Sequence, residues 1–139
     1  MEGEGERMER QRSGLPTDGE WQEGGCHCGA VRFRVHVRER RHLVCNCSIC
    51  SMKGFLGLIV SAADFELLAG DEALVSYRFN TRVAEHRFCR TCGIHPFSRP
   101  RSHPEGYDVN VRCLDGIYED WQADPFDGHK WEDNVGSIR

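Results

Sequence analysis

Apolar and polar residues alternate with a period of two over much of the chain beyond Trp21. In Val31-Arg32-Phe33-Arg34-Val35-His36-Val37 the odd positions are apolar and the even ones polar, which predicts a half-buried strand. His42 to Cys45 and Phe55 to Val60 predict two more; the second is the longest apolar stretch, interrupted by Gly57, and reads as a buried strand. Val75-Ser76-Tyr77-Arg78-Phe79 alternates again, and Glu85 to Phe88 and Tyr107 to Val111 complete the set. Ser61-Ala62-Ala63-Asp64 predicts a single helical turn ahead of Phe65-Glu66-Leu67-Leu68. Turns are expected at Gly70-Asp71, Asn80-Thr81, Pro104-Glu105-Gly106 and Asp115-Gly116. Short strands at such spacing predict an all-β sandwich or barrel-like domain.

Residues Met1 to about Asp18 are rich in Gly, Glu and Arg and carry few large apolar side chains, so residues 1–19 are expected to form a disordered tail and 20–135 one domain. No apolar run approaches the length of about 20 residues that a membrane-spanning helix needs. The first residues carry mixed charge and no apolar stretch of the kind an export signal has, so a cytoplasmic protein with reduced thiols is expected. The net charge of −4 argues against a nucleic-acid partner, which calls for a basic face.

In a reducing compartment eight cysteines point to metal rather than to disulfides, and their spacing says so more strongly. The chain reads Cys26-His27-Cys28, then Cys45-Asn46-Cys47-Ser48-Ile49-Cys50, then Cys89-Arg90-Thr91-Cys92-Gly93, then Cys113. Side chains two apart on a strand share a face, so a C-x-C pair can grip one ion. A C-x-x-C segment curls into a knuckle, and Gly93 permits the tight turn after it. The economical grouping joins Cys26 and Cys28 to Cys89 and Cys92 and leaves Cys45, Cys47 and Cys50 as a triplet. Four thiolates would close a zinc ion into a structural cross-link. Three leave a position for water or a ligand, and a zinc so rich in sulfur favours another thiolate. The triplet therefore reads either as a site of thiol chemistry or as a second structural site completed by Cys113, a histidine or a partner chain.

These motifs carry a resemblance. Gly24-Gly25-Cys26-His27-Cys28-Gly29-Ala30-Val31, the Cys45 to Cys50 segment and Phe88-Cys89-Arg90-Thr91-Cys92-Gly93 resemble the glutathione-dependent formaldehyde-activating enzyme and centromere protein V family. The likeness continues through Cys113-Leu114-Asp115 and Phe126-Asp127-Gly128-His129-Lys130-Trp131-Glu132, with the triplet's wording nearest the short centromere protein V branch. The resemblance implies the β-tent fold shared with methionine-R-sulfoxide reductases. It implies a structural zinc at Cys26, Cys28, Cys89 and Cys92, and a second, catalytic zinc at Cys45, Cys47 and Cys50. The implied activity joins glutathione to formaldehyde as S-hydroxymethylglutathione, a carbon–sulfur lyase reaction. The chain is shorter than the formaldehyde-activating enzymes and shows no long Pro- or Lys-rich extension, so microtubule or centromere binding is not part of the expectation.

His27, between two ligands, is expected to point away from the metal. His95 is a candidate acid–base group at the triplet, set against an ordinary partly buried histidine. Cys113 reads as a core residue. Arg99 and Arg101 are candidates for pairing with glutathione carboxylates, set against a solvated turn. The leading expectation is a two-zinc carbon–sulfur lyase-like enzyme that takes a small thiol such as glutathione. The alternative is a non-catalytic zinc scaffold that binds another protein.

Overall fold

The computed structural model describes residues 19–79 and 83–138; the expected tail up to Asp18 and the Asn80-Thr81 turn lie outside them. Ten strands run in order: β1 Glu20–Gly25, β2 Arg32–Val37, β3 Arg41–Cys45, β4 Leu56–Val60, β5 Phe65–Ala69, β6 Leu74–Tyr77, β7 Glu85–Cys89, β8 Phe97–Arg99, β9 Tyr107–Asn110 and β10 Gln122–Phe126. Two short helices join them, α1 Ser48–Lys53 and α2 Trp131–Asn134. The expected helical turn is a single 3₁₀ turn, Ala62–Asp64. The all-β expectation stands, and no helix among the described residues is long and apolar enough to cross a membrane.

The strands form two sheets, one of three strands in the order β1-β2-β5 and one of seven in the order β10-β3-β4-β9-β8-β7-β6. All neighbours are antiparallel except β10, which runs parallel to β3. The core fills the space between the sheets. Phe65 of β5 stacks on Tyr107 of β9 with ring centres 4.2 Å apart, meets Phe97 of β8 at 4.8 Å and Phe33 of β2 at 5.6 Å. Val35, Val109 and Val111 close around these rings without exposure. This aromatic ladder ties the small sheet to the middle of the large one, and such rings contribute both buried area and oriented contacts.

One expectation is corrected. Two polar residues of β2 do not face water: Arg34 and His36 are as buried as Phe33 and Val35. The strand is central in its sheet, and Trp21 of β1 covers the polar side. The Arg34 guanidinium lies 4.7 Å from the Trp21 ring centre and His36 5.1 Å from it. Arg34 Nε donates to Glu66 of β5 at 2.8 Å, so its buried charge is paired.

Candidate metal centre

The turn after β1, which holds Cys26 and Cys28, meets the end of β7 and the knuckle beyond it, which hold Cys89 and Cys92. The four sulfurs lie within 4.8 Å of one another. Cys26 and Cys28 Sγ are 3.6 Å apart, and Cys28 and Cys89 Sγ 3.7 Å. A zinc tetrahedron with bonds of about 2.3 Å has edges of about 3.8 Å, so the donor set and its spacing fit that ion. Backbone amides support the sulfurs. Val31 N donates to Cys26 Sγ at 3.3 Å, and the Cys92 and Thr91 amides hold the Cys89 thiol below its ordinary range. The knuckle is closed by Gly93 N donating to Cys89 O at 2.8 Å, with Gly93 at φ +77°, a conformation that favours glycine. His27 is exposed and outside the cluster. Cys113 is also outside it: its Sγ donates to His95 O at 3.8 Å, and burial, with Cys26 and Cys92 nearby, pushes its thiol up to about 12.

The second cluster is local in sequence. Cys45 ends β3, Cys47 precedes the first turn of α1 and Cys50 lies within that helix; their sulfurs also lie within 4.8 Å of one another. Hydrogen bonds from the Cys45 and Cys50 thiols, helped by the Cys50 and Ile49 amides, bring the Cys47 thiol down to about 2, while Cys45 and Cys47 push Cys50 up. Among the described residues no other Cys, His, Asp or Glu joins the three.

The turn after β10 lies against this triplet. Asn46 Oδ1 accepts from Gly128 N at 2.7 Å and His129 N at 3.2 Å, and Asn46 Nδ2 donates to Asp127 Oδ1 at 3.2 Å. A Cβ on Gly128 would stand 2.5 Å from Cys45 Sγ and 2.8 Å from Cys47 Cβ. Glycine is there because the backbone itself forms a wall of the sulfur cluster.

A cavity of about 320 Å³ opens on the triplet, and none of the four thiols of the first cluster borders it. Lys53 of α1, His86 of β7 and Asp108 of β9 form its polar side, while Phe79, Phe126 and Trp131 give it an apolar one. Lys53 Nζ is 3.1 Å from His86 Nδ1 and 2.8 Å from His95 Nδ1. An ammonium only donates, so both ring nitrogens accept and each imidazole carries its proton on Nε2. Burial, followed by the Lys53 charge, lowers His86 to about 4 and His95 to about 2; burial also brings Lys53 down to about 8. Burial raises Asp108 to about 7.

His95 therefore stands behind Lys53 and is not among the residues bordering the cavity. Arg101 borders it, stacked 3.7 Å from the Trp131 ring centre. Arg99 does not: its Nη2 donates to Tyr107 OH at 2.8 Å. Lys53, His86, Asp108 and His129 were not singled out as site residues from the sequence. The one available signal was Lys53, three residues after Cys50 and so on the same face of a helix.

The family model described as glutathione-dependent formaldehyde-activating enzyme matches residues 21–133. Among solved structures, the crystal structure of a Rhodobacter sphaeroides protein is similar at 37% sequence identity and a TM-score of 0.66, covering 73% of this chain and 99% of that one. With its cysteine pairs gathered as described and the family pattern running through nearly all of the described residues, the chain belongs to the glutathione-dependent formaldehyde-activating enzyme family.

Proposed function

We propose that this protein is a two-zinc, carbon–sulfur lyase-like enzyme that joins a small thiol to an aldehyde and reverses that reaction, with glutathione and formaldehyde as the type substrates. The family ties the chain to glutathione- and formaldehyde-related chemistry. The observation that carries the finer reading is the unequal setting of the clusters: the three-thiol cluster borders a cavity and the four-thiol cluster borders none of those described. In this reading Cys26, Cys28, Cys89 and Cys92 hold a structural ion, and Cys45, Cys47 and Cys50 hold the second. A zinc bound at the triplet would supply a soft position for a thiolate sulfur.

The chain's own residues do the rest. Phe79, Phe126 and Trp131 exclude water around the reacting carbon and lower the local dielectric. Arg101, held flat by Trp131, offers a planar cation to a peptide carboxylate such as glutathione carries. Asn46 holds the Gly128 turn against Cys45 and keeps that wall in place. In the forward direction the thiol loses its proton, a carbon–sulfur bond forms, the carbonyl π bond opens, and the oxygen gains a proton; thiol plus aldehyde becomes a hydroxymethyl thioether. The Cys45 to Cys50 wording favours the short centromere protein V-like branch, and a cytoplasmic setting suits eight reduced cysteines.

The scaffold alternative needs a protein side chain closing the triplet, and among the described residues none does so. The test is thiol binding. Calorimetry with glutathione, paired with zinc-edge absorption, is expected to show a rise from three to four sulfur neighbours at the second site. Cys47→Ser is expected to abolish binding and keep the fold. No change at about 1 mM thiol, the upper end of ordinary substrate affinities, would leave the scaffold as the better reading.

A further inference from the structure

The sequence holds 18 basic residues, and only Lys53 and Lys130 among them are lysines. One of the two is placed at the site. Its stem leaves α1 on the face that carries Cys50, and its ammonium lies 4.8 Å from the Phe55 ring centre. Of its three N–H donors, two meet His86 Nδ1 at 3.1 Å and His95 Nδ1 at 2.8 Å. The remaining polar contact, 3.5 Å to His95 Nε2, is to the ring nitrogen that carries the proton and cannot accept, so the third donor is spare, and Lys53 lines the cavity onto which the triplet opens. Asp108, on the same cavity, has an Oδ1 that is sealed from solvent and lacks a hydrogen-bond partner. A half-buried cation held by two neutral rings, with a spare donor facing a cavity, is a poor way to stabilise a fold and a good way to receive an oxygen.

Resting on the reading above, we propose that Lys53 is a catalytic residue that holds the oxygen of the sulfur-bound carbon and exchanges a proton with it. As the thiolate sulfur attacks the aldehyde carbon, the C–S bond forms and the π electron pair moves onto oxygen. One N–H proton of Lys53 passes to that oxygen, and the proton shed earlier by the thiol returns to the lysine nitrogen through cavity water. Thiol and aldehyde give the hydroxymethyl thioether, with no further reactant. In reverse, the lysine nitrogen removes the hydroxyl proton while the C–S bond breaks. His86 and His95 fix the nitrogen and leave one direction free. Arginine would not serve, because its guanidinium keeps its protons throughout the accessible pH range.

The experiment uses the full zinc-loaded chain with glutathione and carbon-13 formaldehyde. Exchange between free and adduct formaldehyde is followed by magnetisation-transfer NMR above the spontaneous background. Lys53→Met and Lys53→Arg are expected to lower the accelerated rate by about 10²-fold or more, the usual scale of a lost acid–base group. Glutathione affinity and zinc content should stay close to wild type. A second readout does not depend on turnover. In a Lys130→Arg background labelled with nitrogen-15 lysine, one ammonium signal remains. It should shift when glutathione and formaldehyde are added together, and stay in place with glutathione alone.

Wild-type acceleration that survives in both variants would overturn the proposal and leave the lyase reading intact. So would an unmoved ammonium signal, or a loss of zinc or thiol affinity in step with the rate, since Lys53 would then only hold the site together. Thiol binding without any acceleration in the wild type would remove the lyase reading and this proposal together.

Discussion

Gly128→Ala adds a single methyl group at the point where the chain passes closest to the triplet. That carbon would lie 2.5 Å from Cys45 Sγ, 2.8 Å from Cys47 Cβ and 3.1 Å from Cys47 N. Non-bonded heavy atoms settle at about 3.5–4.0 Å, so something must move by about 1 Å. If the turn retreats, it gives up the bonds of 2.7 and 3.2 Å to Asn46 Oδ1, at about 0.5–1.5 kcal/mol each. If the sulfur retreats, the triplet loses its geometry, and overpacking of this kind costs about 1–3 kcal/mol. A bound zinc would fix the sulfurs, so its binding forces the turn to give way, and zinc at the triplet weakens by about 1–3 kcal/mol, or about 5- to 150-fold in affinity. The four-thiol cluster shares no atom with the clash and should keep its ion. Zinc titration against a chromophoric chelator should therefore show one wild-type site and one weakened site, with circular dichroism unchanged. Two sites of wild-type affinity in Gly128→Ala would refute the argument that this backbone is a wall of the cluster.

The clusters should also differ under direct removal of a ligand. On the two-zinc proposal, Cys89→Ser is expected to unfold or aggregate the domain, because binding of a structural zinc would be part of its folding free energy, while Cys47→Ser should stay folded with one zinc fewer than wild type. Thermal melts with elemental analysis check both, and equal collapse would make the triplet structural as well. The last prediction concerns pH. Burial raises the Asp108 carboxyl from 3.8 to about 7, so between those values the folded protein keeps a proton that the unfolded chain releases. Stability from this group therefore falls as pH rises through that window and is level above it. Asp108→Asn removes the effect, so its urea stability relative to wild type should climb from about pH 4 to pH 7 and then level off. Taking the difference cancels proton uptake by the thiols common to both proteins, and a difference independent of pH would refute the assigned ionisation.

Much of the metal chemistry could be read from the chain because the ligands are neighbours in it. Cys26 with Cys28, Cys89 with Cys92, and the triplet each sit within a few residues, where a tight turn or the start of a helix brings the sulfurs together; neither C-x-C pair lies wholly on a strand, although its spacing suggests one. The alternation at Val31 to Val37 likewise placed a strand, since side-chain direction along a strand is a local property. The burial of Arg34 and His36 was not local: it depends on Trp21 of the neighbouring strand lying over them. The union of the first two cysteine pairs, more than sixty residues apart, was favoured only by economy until the hairpin of β1 and β2 met the end of β7. The cavity was beyond reach altogether. Lys53, His86 and Asp108 come from a helix and two strands that are not sheet neighbours, and Gly128 comes from a turn delivered by the parallel pairing of β10 with β3. Strand order and the covering of sheet faces arise from long-range pairing and packing, which leave no periodic trace in any one segment. The sequence by itself therefore determined which atoms can bind metal, and the tertiary structure alone decided which cluster faces a space where a second molecule can react.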